Sequence, residues 1–186
     1  ASDVYKRQDM HIEDLFHALR FAFLILAQQK ELYVLHSASF LYRGRAFLVS
    51  GSSGTGKSTH SALWHDLYQT PLLNGDLNLL GIRDNIPYAY GLPWCGTSGI
   101  CTPKDYPLGG IIFLKQAAID QVQSLQPDEK VLHILQRMIS PAWTKELLLR
   151  NLHFSEALAP LIFSCRLYCT KEPSAARTLK AVIDAL

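Results

Sequence analysis

The most legible chemistry in this chain lies in one run, Gly51-Ser52-Ser53-Gly54-Thr55-Gly56-Lys57-Ser58-Thr59. Its first eight residues satisfy G-x-x-x-x-G-K-[ST] at every position, a match that average composition would produce in roughly one in a hundred chains of this length. The residue types follow from the task of holding a polyphosphate. Many donors must converge on it, and backbone N–H groups converge only where side chains do not obstruct. Gly51, Gly54 and Gly56 permit that approach. A helix opening after Gly56 would add unpaired N–H groups and a partial positive charge. Lys57 is expected to bridge the β- and γ-phosphates, and the Ser58 hydroxyl to ligate Mg²⁺. The expected ligand is therefore a nucleoside triphosphate, ATP, with its divalent metal.

A metal beside Ser58 calls for a carboxylate. Asp76 stands at the end of the first apolar run after the loop, Leu72–Asn74, and is the candidate; its alternative role is to cap a turn with Asn74 and Gly75. His36 is placed by counting. A two-residue hairpin turn at Arg43-Gly44 pairs Tyr42 with Arg45 and sets His36 opposite Gly51, whereas a three-residue turn shifts it by one, for instance to Ser50. Either register brings His36 beside the loop, and the register decides whether its ring faces the phosphates or the other side of the sheet. His60 and His65, five apart on the expected helix, point to different faces and read as structural. Cys95, Cys101, Cys165 and Cys169 form no C-x-x-C pair and have no histidine at zinc-finger spacing, so they read as free thiols.

The elements that must position these residues are readable from periodicity. Ile12–Lys30 reads as a helix with one apolar face at Ile12, Leu15, Phe16, Leu19, Phe23 and Leu26. Leu32–Tyr42 and Ala46–Ser50 read as a β-hairpin leading into the loop, followed by a helix from Lys57 to about Leu67 in which Trp64 packs on the sheet. Tyr88–Pro93 is expected to be extended, Cys95–Tyr106 to be a mobile polar segment, and Gly110–Leu114 to be a buried strand. Pro127–Arg137 and Pro141–Leu152 read as helices, the second with Ser140 as N-cap and Pro141 at its first position. A strand at Leu161–Tyr168 and a helix at Ser174–Leu186 close the chain. The fold class expected is α/β: a single P-loop nucleotide-binding domain over residues 9–186, with a mixed sheet.

Composition excludes other classes. With 48% hydrophobic and 18% charged residues the chain is ordinary for a globular protein. A net charge of +2 without a Lys/Arg stripe gives nucleic acid no electrostatic footprint. The longest apolar stretch, Phe21–Ala27, is far short of the roughly 20 residues that span a bilayer, so no membrane partner and a cytoplasmic location are expected. Residues 1–8 read as foreign: Asp3–Gln8 is what GATGTGTATAAGAGACAG encodes, a string resembling a transposase mosaic end from sequencing libraries. The native start is then missing, and continuous genomic coding sequence through Lys6 would refute this.

From Leu35 to Leu80 the chain resembles the HPr kinase/phosphorylase catalytic domain and its relative phosphoenolpyruvate carboxykinase. The resemblance rests on His36 fifteen residues before Gly51, on the loop itself and on the strand closing at Asn74-Gly75-Asp76. It looks closer still to small bacterial proteins labelled HPr kinase-like or phosphoenolpyruvate carboxykinase-like. The residues that carry this are Ser58-Thr59-His60 with Trp64, Gly91-Leu92-Pro93-Trp94-Cys95-Gly96 and Pro107–Leu114. The resemblance implies an ATP- and Mg²⁺-dependent kinase, with His36, Lys57 and Asp76 as catalytic residues and Ser58 and Asp76 as metal ligands. The acceptor would be a Ser hydroxyl of a peptide, protein or small molecule, and a homo-oligomer is possible by the same token. The family carries paired aspartates where this chain has Gly75-Asp76, so only the metal role transfers, and the base would be His36 or Asp76. Carboxykinase activity is not expected, because the chain is short and Pro103 stands where the family's Thr-Arg-x-x-Tyr-Pro has its arginine. The alternatives are a nucleotide-binding regulatory protein without phosphotransfer, and a metabolite kinase of the ordinary P-loop class, which would require a purely parallel core.

Overall fold

The computed structural model describes residues 12–186. The expectations about residues 1–8 and about the chain start lie outside the described residues. Two turns set up the sheet. At Arg43 (φ 50°) and Gly44 (φ 73°) both central residues are left-handed, the conformation that matches strand twist in a two-residue hairpin. This joins β1 (Tyr33–Tyr42) to β2 (Arg45–Ser50) with Tyr42 opposite Arg45 and Ser37 opposite Ser50. Asp84 and Asn85 make the same kind of turn between β4 (Leu77–Arg83) and β5 (Ile86–Tyr90). The two-residue register expected at Arg43-Gly44 is the one observed, and it aligns His36 with Gly51.

The remaining elements are α1 (Ile12–Gln29), α2 (Lys57–Tyr68), β3 (Leu72–Asn74), β6 (Tyr106–Gln116), β7 (Gln121–Ser124), α3 (Pro127–Arg137), α4 (Lys145–Leu158), β8 (Phe163–Cys169) and α5 (Pro173–Asp184). One sheet runs β2-β1-β4-β5-β6-β8-β7, with β3 on β1 and β2 also pairing β6. The β2–β6 and β6–β8 pairs are parallel and the others antiparallel. An antiparallel β1 directly beside the strand that enters the loop removes the reading as an ordinary, purely parallel P-loop kinase.

Both faces of the central strands are covered, which is why β2 and β6 read as unbroken apolar runs. Leu48, Ile111 and Phe113 pack with Ile134 of α3 and Leu158 of α4. Their neighbours Val49, Ile112 and Leu114 turn to the opposite face, against Trp64 of α2 and Leu179 of α5. Cys165 and Cys169 belong to this second core, and burial pushes the Cys165 thiol up to about 12.

Three local expectations are corrected. The helix set at Pro141–Leu152 begins instead at Lys145, because Thr144 caps it by accepting from Leu147 N at 3.2 Å. Ser140 and Pro141 are drawn elsewhere: Ser140 Oγ accepts from Val34 N (2.9 Å), and Pro141 O accepts from Gln28 Nε2 (3.0 Å). On α1 the expected apolar face is largely uncovered, with Leu15, Phe16, Leu19 and Leu26 exposed, while Leu24, Ala27 and Gln28 of its last turns are buried. The strand β4 escaped the pattern because its run, Leu77-Asn78-Leu79-Leu80-Gly81, follows β3 after only Gly75 and Asp76.

His60 is structural, as its spacing from His65 suggested. Its Nε2 accepts the Trp64 indole N–H at 3.2 Å, Nδ1 is buried without a partner among the described residues, and burial lowers its pKa to about 4. An unfolded imidazole takes its proton near pH 6.5. Between these values the unfolded chain binds more protons than the folded one, so stability falls as pH drops, by about 3 kcal/mol in total for this group. Urea midpoints at pH 7 and pH 4.5 test this. His60→Gln, whose amide oxygen can still accept from the indole, should remove most of the dependence; an unchanged dependence would assign it elsewhere.

Candidate functional site

The site lies where β1 changes partners. Along one edge, β1 pairs β2 from Ser37 to Tyr42. Along the same edge near its start it is bound by the segment after α3, through a bridge from Leu35 to Met138 and through Ile139 N to Val34 O at 2.9 Å. His36 sits between the two, at the point where β2 leaves the sheet as the loop. Its backbone oxygen accepts from Ser50 Oγ at 2.7 Å.

The loop is held open by its own backbone. Gly54 (φ 75°) and Gly56 (φ 100°) are left-handed, and a side chain at Gly51 would meet Thr55 Oγ1 at 2.5 Å. Thr55 Oγ1 donates to Ser52 O at 2.7 Å, and Gln116 Nε2, from the end of β6, donates to Gly54 O at 3.0 Å. Lys57 Nζ rests on Gly51 O and Ser52 O at 3.3 and 3.4 Å, long bonds that a stronger acceptor would displace. Ser58 and Thr59 lie exposed on the first turn of α2.

Asp76 arrives from the β3–β4 turn. Asn74 Oδ1 accepts from Asp76 N (2.9 Å) and Leu77 N (3.1 Å), and Ser37 N donates to Asp76 O at 2.9 Å. The turn-capping role weighed for Asp76 thus belongs to the Asn74 side chain, leaving the Asp76 carboxylate free to face His36, with Oδ1 3.4 Å from His36 Nε2. The Cys95–Tyr106 segment is tied to this turn: Thr102 N donates to Leu73 O and Cys101 bridges Asn74, while just upstream Leu92 O and Trp94 O accept from Asn74 Nδ2, and together these contacts clasp the turn. A side chain on Gly75 would meet Ser98 Oγ at 2.1 Å, so no second acid fits before Asp76 while the clasp is closed.

Arg137 completes the group, and the sequence reading missed it. As the last residue of α3 it reads as an ordinary cation at a helix C-terminus. The segment after α3, tied to β1, swings it over the loop, where Nη2 donates to Ser52 Oγ at 3.3 Å. The electrostatics register the convergence. Burial first, then Lys57 and Arg137, hold the His36 pKa below its usual 6.5, while Asp76 opposes them. Burial also lowers Lys57, with Asp76 opposing and Arg137 adding to the shift. Four side chains from separate parts of the chain are thus in electrostatic contact at one loop.

Clefts open on both sides. On the α2 side a cavity of about 500 Å³ is lined by Thr55, Thr59, Leu63, Ala117 and Thr170. On the α3 side one of about 640 Å³ is lined by Ser52, Phe113, Lys115, His133, Arg137 and Arg166. Mg²⁺ bound with a triphosphate needs only one or two protein oxygens besides phosphate, and Ser58 Oγ and the Asp76 carboxylate are hard donors of that kind. Among the described residues no cluster of three His, Cys, Asp or Glu would hold a metal without a nucleotide. Among the described residues no helix is long and apolar enough to cross a membrane.

No protein-family profile matches the chain, and no curated protein matches it. Among solved structures it is similar to the Hpr(Ser) kinase/phosphatase from Coxiella burnetii, with a TM-score of 0.43 and 9% identity over 82% of this chain and 93% of that one. At that likeness the site has to be read from this chain's own residues.

Proposed function

We propose that the chain is an ATP-dependent kinase that transfers the γ-phosphoryl group to a Ser hydroxyl of a peptide, protein or small molecule. The observation that carries this is the meeting of Lys57, His36, Asp76 and Arg137 at the open loop. The loop amides from Gly51 to Thr59 and the start of α2 would hold the phosphates, and Lys57 would leave its carbonyl partners for the β- and γ-oxygens. The nucleoside would occupy the cleft on the α2 side. Ser58 and Asp76 would hold Mg²⁺, which supplies charge neutralisation. The acceptor oxygen forms its bond to the γ-phosphorus as the bond to the β-phosphate oxygen breaks. ADP leaves, and the hydroxyl proton passes to the His36–Asp76 pair.

A lowered His36 pKa means that the ring is neutral at pH 7 and able to take that proton. The acid limb of kcat/KM is therefore expected to fall at a pH below 6.5, with activity lost as His36 protonates. His36→Gln should abolish this limb and lower kcat by less than about 10²-fold, since phosphoryl transfer leans on positioning more than on base catalysis. A limb unchanged in His36→Gln would remove His36 from this role.

One observation favours a second reading, an ATP-binding regulatory protein without transfer: Ser98 occupies the space that a side chain at Gly75 would need. Incubation with γ-labelled ATP, Mg²⁺ and serine peptides separates the two. Label transfer above that of Lys57→Ala supports the kinase; equal background together with saturable ATP binding supports the regulator.

A further inference from the structure

The loop and the start of α2 account for a nucleotide, but not for the cations on the α3 side of the loop. There Ser50, Phe113 and Arg166 are aligned across β2, β6 and β8. Two strand spacings set the Arg166 backbone about 10 Å from the base of the loop. Lys115 and Tyr168 are the next aligned pair on the same face, and Lys115 Nζ lies 5.4 Å from the Tyr168 ring centre. Arg166 is held out over this face by His133 and by Gln123 (3.2 Å). Its Nη2 lies 2.6 Å from His133 Nε2, whose pKa burial and Arg166 push down, so the imidazole is neutral and accepts. The only carboxylate within ion-pair range of these cations among the described residues is Glu129, at 3.9 Å from Arg166. Among the described residues Arg137 has only the Ser52 hydroxyl as acceptor, and its Nε is buried without a partner.

Three cations beside the Phe113 ring, with Glu129 at 3.9 Å from Arg166 as the one carboxylate in range among the described residues, make a cleft whose positive charge is largely unneutralised. Guanidinium groups are suited to planar carboxylates, and arginine loses little by desolvation there. We propose that this cleft receives the phosphoacceptor as an acidic peptide segment: carboxylate side chains flanking the serine engage Arg166, Lys115 and Arg137, and the serine hydroxyl is presented at the loop. This rests on the kinase reading, and it assigns that reading a substrate class.

The test is direct binding, so that it does not depend on turnover. The protein, saturated with Mg²⁺ and a non-hydrolysable ATP analogue, is titrated into two fluorescein-labelled peptides, one with a serine flanked by glutamates and one with glutamines in their place. The acidic peptide should bind about ten- to hundredfold more tightly, as charge-assisted hydrogen bonds would give, and the advantage should shrink with added salt. Arg166→Gln should remove most of that preference while nucleotide affinity holds, and Arg166→Lys, which keeps the charge and guards against misfolding, should retain part of it. Equal affinity for both peptides overturns the proposal, as does loss of nucleotide affinity in a folded Arg166→Gln, which would assign the cleft to the nucleotide. Failure of the kinase reading is seen separately: acidic peptide bound selectively but never labelled from γ-labelled ATP.

Discussion

Lys57→Ala is expected to lower kcat/KM for phosphate transfer by about 10²–10³-fold, the scale for removing one preorganised donor at developing charge. Lys57 is half-buried at the head of α2, and its present partners, Gly51 O and Ser52 O, are long and neutral. Moving the ammonium from those carbonyls onto a triphosphate therefore gains a charge-assisted bond at little cost. Nucleotide affinity should weaken in the same variant, because Lys57 is the cation that arises from the loop itself. The fold should not change, since the side chain has no part in either core. Isothermal titration with ATP and Mg²⁺, beside a thermal melt, checks both statements. Wild-type ATP affinity in Lys57→Ala would contradict the assignment of the loop.

Asp76→Asn is expected to cost a similar factor in transfer, about 10²–10³-fold, with ATP binding without metal left largely intact. The exchange keeps the shape of the β3–β4 turn, because Asn74 Oδ1 holds the Asp76 and Leu77 N–H groups and not the Asp76 side chain. What is lost is charge. Asp76 favours the protonated form of His36 and opposes the downward push of Lys57 and Arg137. Without it the His36 pKa falls further, so the acid limb of the residual activity should move to lower pH, and an NMR titration of the ring should show the same displacement. If transfer by Asp76→Asn matches the wild type across Mg²⁺ concentrations, neither the metal role nor the base-pair role survives.

Much of the site was legible in the sequence because its signals are local. Gly54 and Gly56 are required where the backbone is left-handed, and Lys57 and Ser58 follow at fixed offsets on the helix they open. The Arg43-Gly44 turn fixed the hairpin register, and with it the position of His36, by counting alone. Local signals also misled. Ser140-Pro141 has the composition of a helix start, but the backbone of β1 and the Gln28 amide claim those residues first. The apolar residues of α1 have helical spacing, yet only its last turns are buried, while Phe16 and Phe21 stay exposed beside Trp94 and Trp143. The polar Cys95–Tyr106 segment resembled a loose loop because its partners, Leu73 and Asn74, lie about twenty or more residues away.

By itself the sequence determined the glycine-rich loop, the hairpin before it and the helix after it, since each depends on backbone conformations that neighbouring residues permit or forbid. Tertiary structure alone decided what surrounds the loop. Arg137 reaches Ser52 from 85 positions away because the segment after α3 takes the edge of β1 that β2 vacates. Asp76 turns to His36 because Asn74 frees its carboxylate, and Ser98 closes the space beside Gly75. Arg166 joins the same cleft through the alignment of three parallel strands. Such placements arise from strand order and from competition for a shared edge, and neither leaves a trace in the spacing of residues along the chain.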